Sequence, residues 1–165
     1  MLHIREPPVA RVNGAVELTR RRLVEQNLTP EQVYDFGLLN LALRDPIKAT
    51  AAFQLLSSQD SYSDRLEVLF DLALALSHDQ GLKGGSKTER KKNAIPSLER
   101  VMEKTPVLVE HGTISDREFR VIDGGVYYLL HFGLLKPNFP SSREPANRIQ
   151  DAYVQYRSLT HRVGI

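Results

Sequence analysis

The chain contains no cysteine and no tryptophan. The first absence excludes a disulfide framework, thiolate metal sites and a cysteine nucleophile, and leaves no thiol usage from which to read a redox compartment. Long apolar runs are missing as well. The longest, Val68 to Leu76, is interrupted by Asp71 and falls far short of the roughly 20 apolar residues needed to cross a bilayer. The start, Met1-Leu2-His3-Ile4-Arg5-Glu6-Pro7-Pro8, has no apolar segment of the kind a secretory signal carries. No membrane contact is therefore expected, and the expected compartment is the cytoplasm of a cell or of an infected host.

Catalytic and cofactor signatures are also absent. No Gly-x-Ser-x-Gly, Gly-x-Gly-x-x-Gly or His-Glu-x-x-His pattern occurs, and the five histidines are scattered. No nucleophile, base and stabiliser can be assembled, so the reading is non-enzymatic, with no catalytic residues, no cofactor and no metal.

What is present is a globular composition. Of 165 residues, 41% are apolar and 25% charged. A chain of that length buries roughly 70% of its unfolded surface and folds without staples. The apolar spacing is helical throughout and points to a single all-α domain of six or seven helices, bundle-like or an irregular array. Residues 1–13, with Pro7-Pro8, read as an N-terminal arm, and residues 14–165 as the helical domain. Ala15–Gln26 reads as a first helix. Thr29-Pro30-Glu31-Gln32 and Ser115-Asp116-Arg117-Glu118 are capping boxes, and Asp45-Pro46 is a helix start. Between Val33 and Leu43 the apolar residues point in nearly every direction, as in a helix buried all round. Residues 62–77 give the clearest helix. Residues 82–94, polar and centred on Gly84-Gly85-Ser86, read as a basic flexible loop, followed by a short helix that Thr105-Pro106 breaks. Within residues 105–113, Val107-Leu108-Val109 is too short to decide between a strand and an extended linker. Gly124-Gly125 inside the next helix implies a bend or a close backbone approach. Residues 136–143 read as a linker, and residues 146–162 as the last helix.

Charge is uneven along the sequence. Residues 1–80 carry eight Lys/Arg against eleven Asp/Glu, a net −3, and residues 81–165 carry fourteen against nine, a net +5. Several features could use that asymmetry. Lys83, Lys87, Arg90, Lys91 and Lys92 place five cations beside one acid between residues 82 and 92. Such a segment attracts phosphates through counterion release, although a solvated loop is the plainer reading. It is not a phosphate-binding P-loop, because the glycine spacing fails. Arg20-Arg21-Arg22 spread over about 200° of a helix, so two of them would meet a phosphate backbone at once.

Asp60, Asp64, Glu67 and Asp71 recur at helical spacing and form an acidic stripe suited to a basic partner. No histidine or second carboxylate helix answers it as a metal site would require. In the last helix Ala152, Tyr156, Leu159 and Val163 share one face, which fits either a core or a partner helix. Two functions from different classes follow. One is a helical adaptor or assembly protein, including a subunit of a nucleoprotein complex, that meets a protein partner or a second copy of itself. The other is an accessory protein that binds the backbone of RNA or DNA through the basic loop.

Overall fold

In the computed structural model, which describes residues 7–136 and 146–162, seven α-helices and one 3₁₀ turn follow one another, and no strand occurs among the described residues. The helices are α1 (Pro8–Glu25), α2 (Pro30–Ala42), α3 (Pro46–Leu55), α4 (Ser63–Asp79), α5 (Lys87–Glu110), α6 (Asp116–His131) and α7 (Ala146–Arg162). The all-α class read from the periodicity is the class observed.

The array is built around α4. That helix packs on α3, α5 and α6, and buries Leu66, Val68, Leu69, Leu72, Ala73, Ala75 and Leu76. Outside it, α1 lies on α3, α2 packs on α3 and α6, and α7 lies on α5. At roughly 2 kcal/mol for each large buried side chain, the α4 contacts are the main apolar contribution to the fold. The sequence pattern predicts the all-round buried helix at α2, two helices earlier. Instead α2 leaves Leu39 57% and Leu43 66% exposed. Its opposite face is fixed closely, because a Cβ added to Gly37 would come within 2.4 Å of the Phe53 ring.

The helix starts follow local chemistry. Thr29 and Ser115 form complete capping boxes with Gln32 and Glu118, and the Asp45 carboxylate accepts from the Lys48 N–H. Two boundaries differ from the sequence reading. α1 begins at Pro8, so residues 8–13 of the expected arm are helical, with Pro8 at the first helical position where its missing N–H costs nothing. α5 begins at Lys87, so residues 87–94 of the expected flexible loop are its first turns. Ser86 caps it by accepting from the Glu89 N–H at 3.2 Å. Ser86-Lys87-Thr88-Glu89 is itself a capping-box sequence, obscured by the preceding glycine pair.

Two prolines lie inside α5, and neither ends it. Residues 105–110, read as a break followed by a strand or an extended linker, are helical. The reason is packing on both sides of Pro96 and up to Pro106. Ala94, Leu98, Val101, Met102 and Thr105 recur on one face and are buried. Together they outweigh a proline penalty of about 3 kcal/mol each. The Thr105 hydroxyl adds a bond to the Val101 carbonyl at 2.6 Å.

The two prolines differ in surroundings. Pro96 is exposed and Pro106 is buried. Pro96→Ala is expected to raise stability by about 1–3 kcal/mol, because it restores a helix N–H at no packing cost. Pro106→Ala is expected to gain less, since it also removes a packed ring. Urea denaturation of both variants ranks them, and the reverse order would contradict this account of α5.

Candidate functional site

The buried polar group that joins three helices is the Glu118 carboxylate, 7% exposed. It accepts from the Tyr34 hydroxyl, from Arg65 Nη1 at 3.1 Å and from the Ser115 N–H at 3.0 Å, and so ties α2 and α4 to the start of α6. The Arg65 guanidinium also lies over the rings of Tyr34 and Tyr62, 5.4 and 5.2 Å from their centroids. Burial by itself would raise the Glu118 pKa. The bonds from Tyr34, Ser115 and Arg65 outweigh it and hold the carboxyl below its ordinary value. Burial, with the Glu118 bond added, pushes the Tyr34 hydroxyl well up. Every group in this node has a partner inside the chain, and the node is structural.

The largest opening next to it is a groove between the C-terminal end of α2 and the outer face of α6, about 380 Å³ in volume. Leu41 and Val121 line its apolar floor, and Arg44, Arg117 and Arg120 its walls. The last two are each held by a carboxylate, Arg117 by Asp35 and Arg120 by Asp116 at 2.9 Å. The Arg44 guanidinium lies 4.4 Å from the centroid of the Tyr128 ring. Arg44 also closes α2 with φ 58°, a left-handed conformation that glycine adopts at least cost. Its carbonyl accepts from Gln80 Nε2 at 2.6 Å, and the next N–H, that of Asp45, reaches back to the Asn40 carbonyl at 2.7 Å.

The glycine pair of α6 has two roles. A Cβ on Gly125 would meet the Leu72 methyls at 3.0 Å, the close approach that the sequence implied. A Cβ on Gly124 would meet nothing within 4 Å. Gly124 thus costs the helix about 1 kcal/mol relative to alanine and faces the open groove without a packing reason. Sequence reasoning passed over this groove, since Arg44 lies 73 residues before Arg117. Gly124, the first of the glycine pair, was the local signal.

The acidic stripe is not a single surface. Asp60 sits in the 3₁₀ turn ahead of α4, off the helical register. Glu67 pairs with Lys104, and Asp71 with Arg100 Nε at 3.0 Å, so both bind α4 to α5. Only Asp60 and Asp64 make no ion pair among the described residues. In α7 the Tyr156 ring is 1% exposed, packs near Phe119 and donates to Asp123 at 2.6 Å, so it belongs to this chain's own core. Ala152 and Leu159 are half-buried, and Val163 lies outside the described residues. Arg148 Nε pairs at 2.7 Å with the buried Glu99, fastening α7 to α5.

The basic candidates separate into two groups. Arg20 donates to Gln54 at 3.0 Å, and Arg20 and Arg21 share Glu17, which leaves Arg22 as the solvated member of that triplet. Arg90 is structural, because its Nε and Nη2 donate to the His78 and Asp79 carbonyls and close the C-terminus of α4. Lys83, Lys87, Lys91 and Lys92 surround that junction and make no ion pair among the described residues. Burial, then the charges of Lys83 and Arg90, lowers the pKa of His78 at the same end.

Among the described residues, no three His, Asp or Glu side chains gather as a metal site, and no helix is long and apolar enough to cross a membrane. Set against family models, curated proteins and solved structures, the chain matches none.

The node sets a pH dependence. The stabilisation from Glu118, whose folded pKa is depressed, is fully present above the ordinary value of about 4.3 and is lost as pH falls through the folded value. Glu118→Gln is expected to lower stability by about 1.5–3 kcal/mol near neutral pH. The gap from wild type should then close as pH drops below about 4. Denaturant titrations of both proteins at several pH values check this, and a gap that stays constant to pH 2 would assign the stabilisation to shape rather than charge.

Proposed function

We propose that the protein is a non-enzymatic helical binding protein that holds the phosphate backbone of RNA or DNA at one end of α4. The observation carrying this reading is a cluster of four lysines that form no ion pair among the described residues. Lys83, Lys87, Lys91 and Lys92 collect where α4 ends and α5 begins, whereas the basic residues in the middle of the array are spent on Glu67, Asp71, Glu99 and Glu118. Pro8 of α1 packs against Gly84, so Arg11, one turn further along α1, lies near the same end. Four lysines on a fixed helix start and the turn before it offer a phosphate backbone charge without sequence readout.

Binding to either nucleic acid should therefore be insensitive to base sequence and fall with salt. Replacing Lys83, Lys87, Lys91 and Lys92 together with Ala is expected to weaken retention at least tenfold and to flatten the salt slope by about one unit per lost contact. Arg90 is kept, because its loss would open the end of α4. Filter binding measures both effects. Intact protein that retains neither RNA nor DNA at low salt would overturn the proposal.

A second reading, assembly by head-to-tail contact, rests on the opposite end of the molecule. Asp60 and Asp64 stand free of ion pairs there, with Glu31 close enough to act on Tyr62. About 20 Å of α4 separates them from the lysines. Exposed ion pairs are worth about 0–1 kcal/mol each, so such association would be weak and salt-sensitive. Tyr156 takes no part in it, and Tyr156→Ala is expected to lower the melting temperature rather than the mass. Light scattering on wild type and on Asp60→Lys with Asp64→Lys decides this reading. A wild type that is monomeric at high concentration in low salt excludes it.

A further inference from the structure

The arginine groove between α2 and α6 lies outside the basic end and has no role in the function proposed above. Two features that work against local stability meet there. Arg44 occupies a left-handed position where glycine would be unstrained. Gly124 occupies a helix interior with open space beside it, where any other side chain would stabilise the helix. Arg44 ends α2 there, with its guanidinium on the Tyr128 ring, and Gly124 has no packing reason; both shape the same opening, one by placing a guanidinium at its edge and the other by leaving its floor clear.

The chemistry of the lining selects the ligand. A guanidinium presents five donors in a planar fork. Arg117 and Arg120 each commit one nitrogen to a carboxylate, which fixes them in place while other donors stay free. Their side chains are 65% and 77% exposed, so a ligand reaches them without opening the fold. Asp116 also lines the groove, and with it and Asp35 paired to Arg120 and Arg117 the three guanidinium groups keep a net positive charge that suits a phosphate. Leu41, Val121 and Gly124 form a floor that an inorganic ion would leave wet and that a flat or compact apolar body would cover. Between Arg117 and Gly124 the groove runs for two helical turns, about 10 Å, which suits a small molecule and is short for a docked helix.

We propose that the α2–α6 groove binds a phosphate ester carried on a compact apolar body, the chemistry of a nucleotide, whether free or at the phosphorylated end of a strand. The test is isothermal titration of the full chain with AMP, GMP, CMP and UMP, with adenosine and inorganic phosphate as half-ligands. At least one monophosphate should bind, and both half-ligands should bind at least tenfold more weakly. Gly124→Leu, which fills the opening, and Arg44→Gly, which removes a cation and relieves the backbone, should each weaken binding at least tenfold without lowering the melting temperature. That combination separates a ligand role from a structural one. A 5′-phosphorylated oligonucleotide that binds more tightly than its 5′-hydroxyl form through Arg44 would identify a strand end as the source. Equal binding of the two forms, with a free monophosphate bound, would identify the small molecule.

The four-lysine variant should bind the monophosphate like wild type, so this proposal and the backbone reading stand or fall separately. The inference is overturned if no monophosphate binds below millimolar concentration, or if binding survives both groove substitutions. A glutamate-rich peptide that takes the groove in place of every monophosphate would also overturn it.

Discussion

A single buried carboxylate sets the geometry on which the rest of this array depends. Glu118 caps α6 through Ser115 and also receives Tyr34 from α2 and Arg65 from α4. An unpaired charge at that depth would cost several kcal/mol, so the three helices hold their relative positions as long as the carboxyl stays ionised. The placement of α6 follows from this node. With its first turn pinned to Tyr34 and Asp35, the helix runs beside α2, presses Gly125 against Leu72 and leaves the arginine groove along its outer edge.

Charge asymmetry between the halves of the sequence is mostly resolved inside the molecule. Acids of α4 meet bases of α5, an acid of α5 meets Arg148 of α7, and Asp35 of α2 meets Arg117 of α6. These pairs join consecutive layers and draw on the unequal halves that the linear sequence displays. Asp64 at the start of α4 and the lysines beyond its end are among the charges that form no ion pair among the described residues. That arrangement also agrees with the dipole of α4, which favours anions at the N-terminus and cations at the C-terminus.

α5 shows where local rules give way. Two prolines and a glycine-rich approach argue for a loop, a short helix and a break. A 24-residue helix forms instead, because it is the element that lies between α4 and α7. Its buried face continues past Pro96 to Pro106, Leu108 and Val109 pack partly buried beyond it, and packing spread over several turns exceeds two local penalties. The same balance accounts for α2, whose uniformly apolar sequence predicts burial on every side. α2 packs mainly on α3 and α6, and Leu39 and Leu43 remain in solvent.

The sequence by itself determined the class, the approximate number of helices and the three helix starts marked by Thr29, Asp45 and Ser115, because capping and 3.6-residue periodicity act within a few residues. It also located the lysines around residue 87, since a charge run is a local property. Tertiary structure decided which of those charges remain available. Arg90 is used to close a helix, Tyr156 is enclosed, and Glu67 and Asp71 are neutralised by residues about 30 positions away or more. The groove was decided in the same way. Arg44, Arg117 and Arg120 become neighbours only when α2 and α6 lie side by side, and that register is set by a hydrogen bond between residues 84 positions apart.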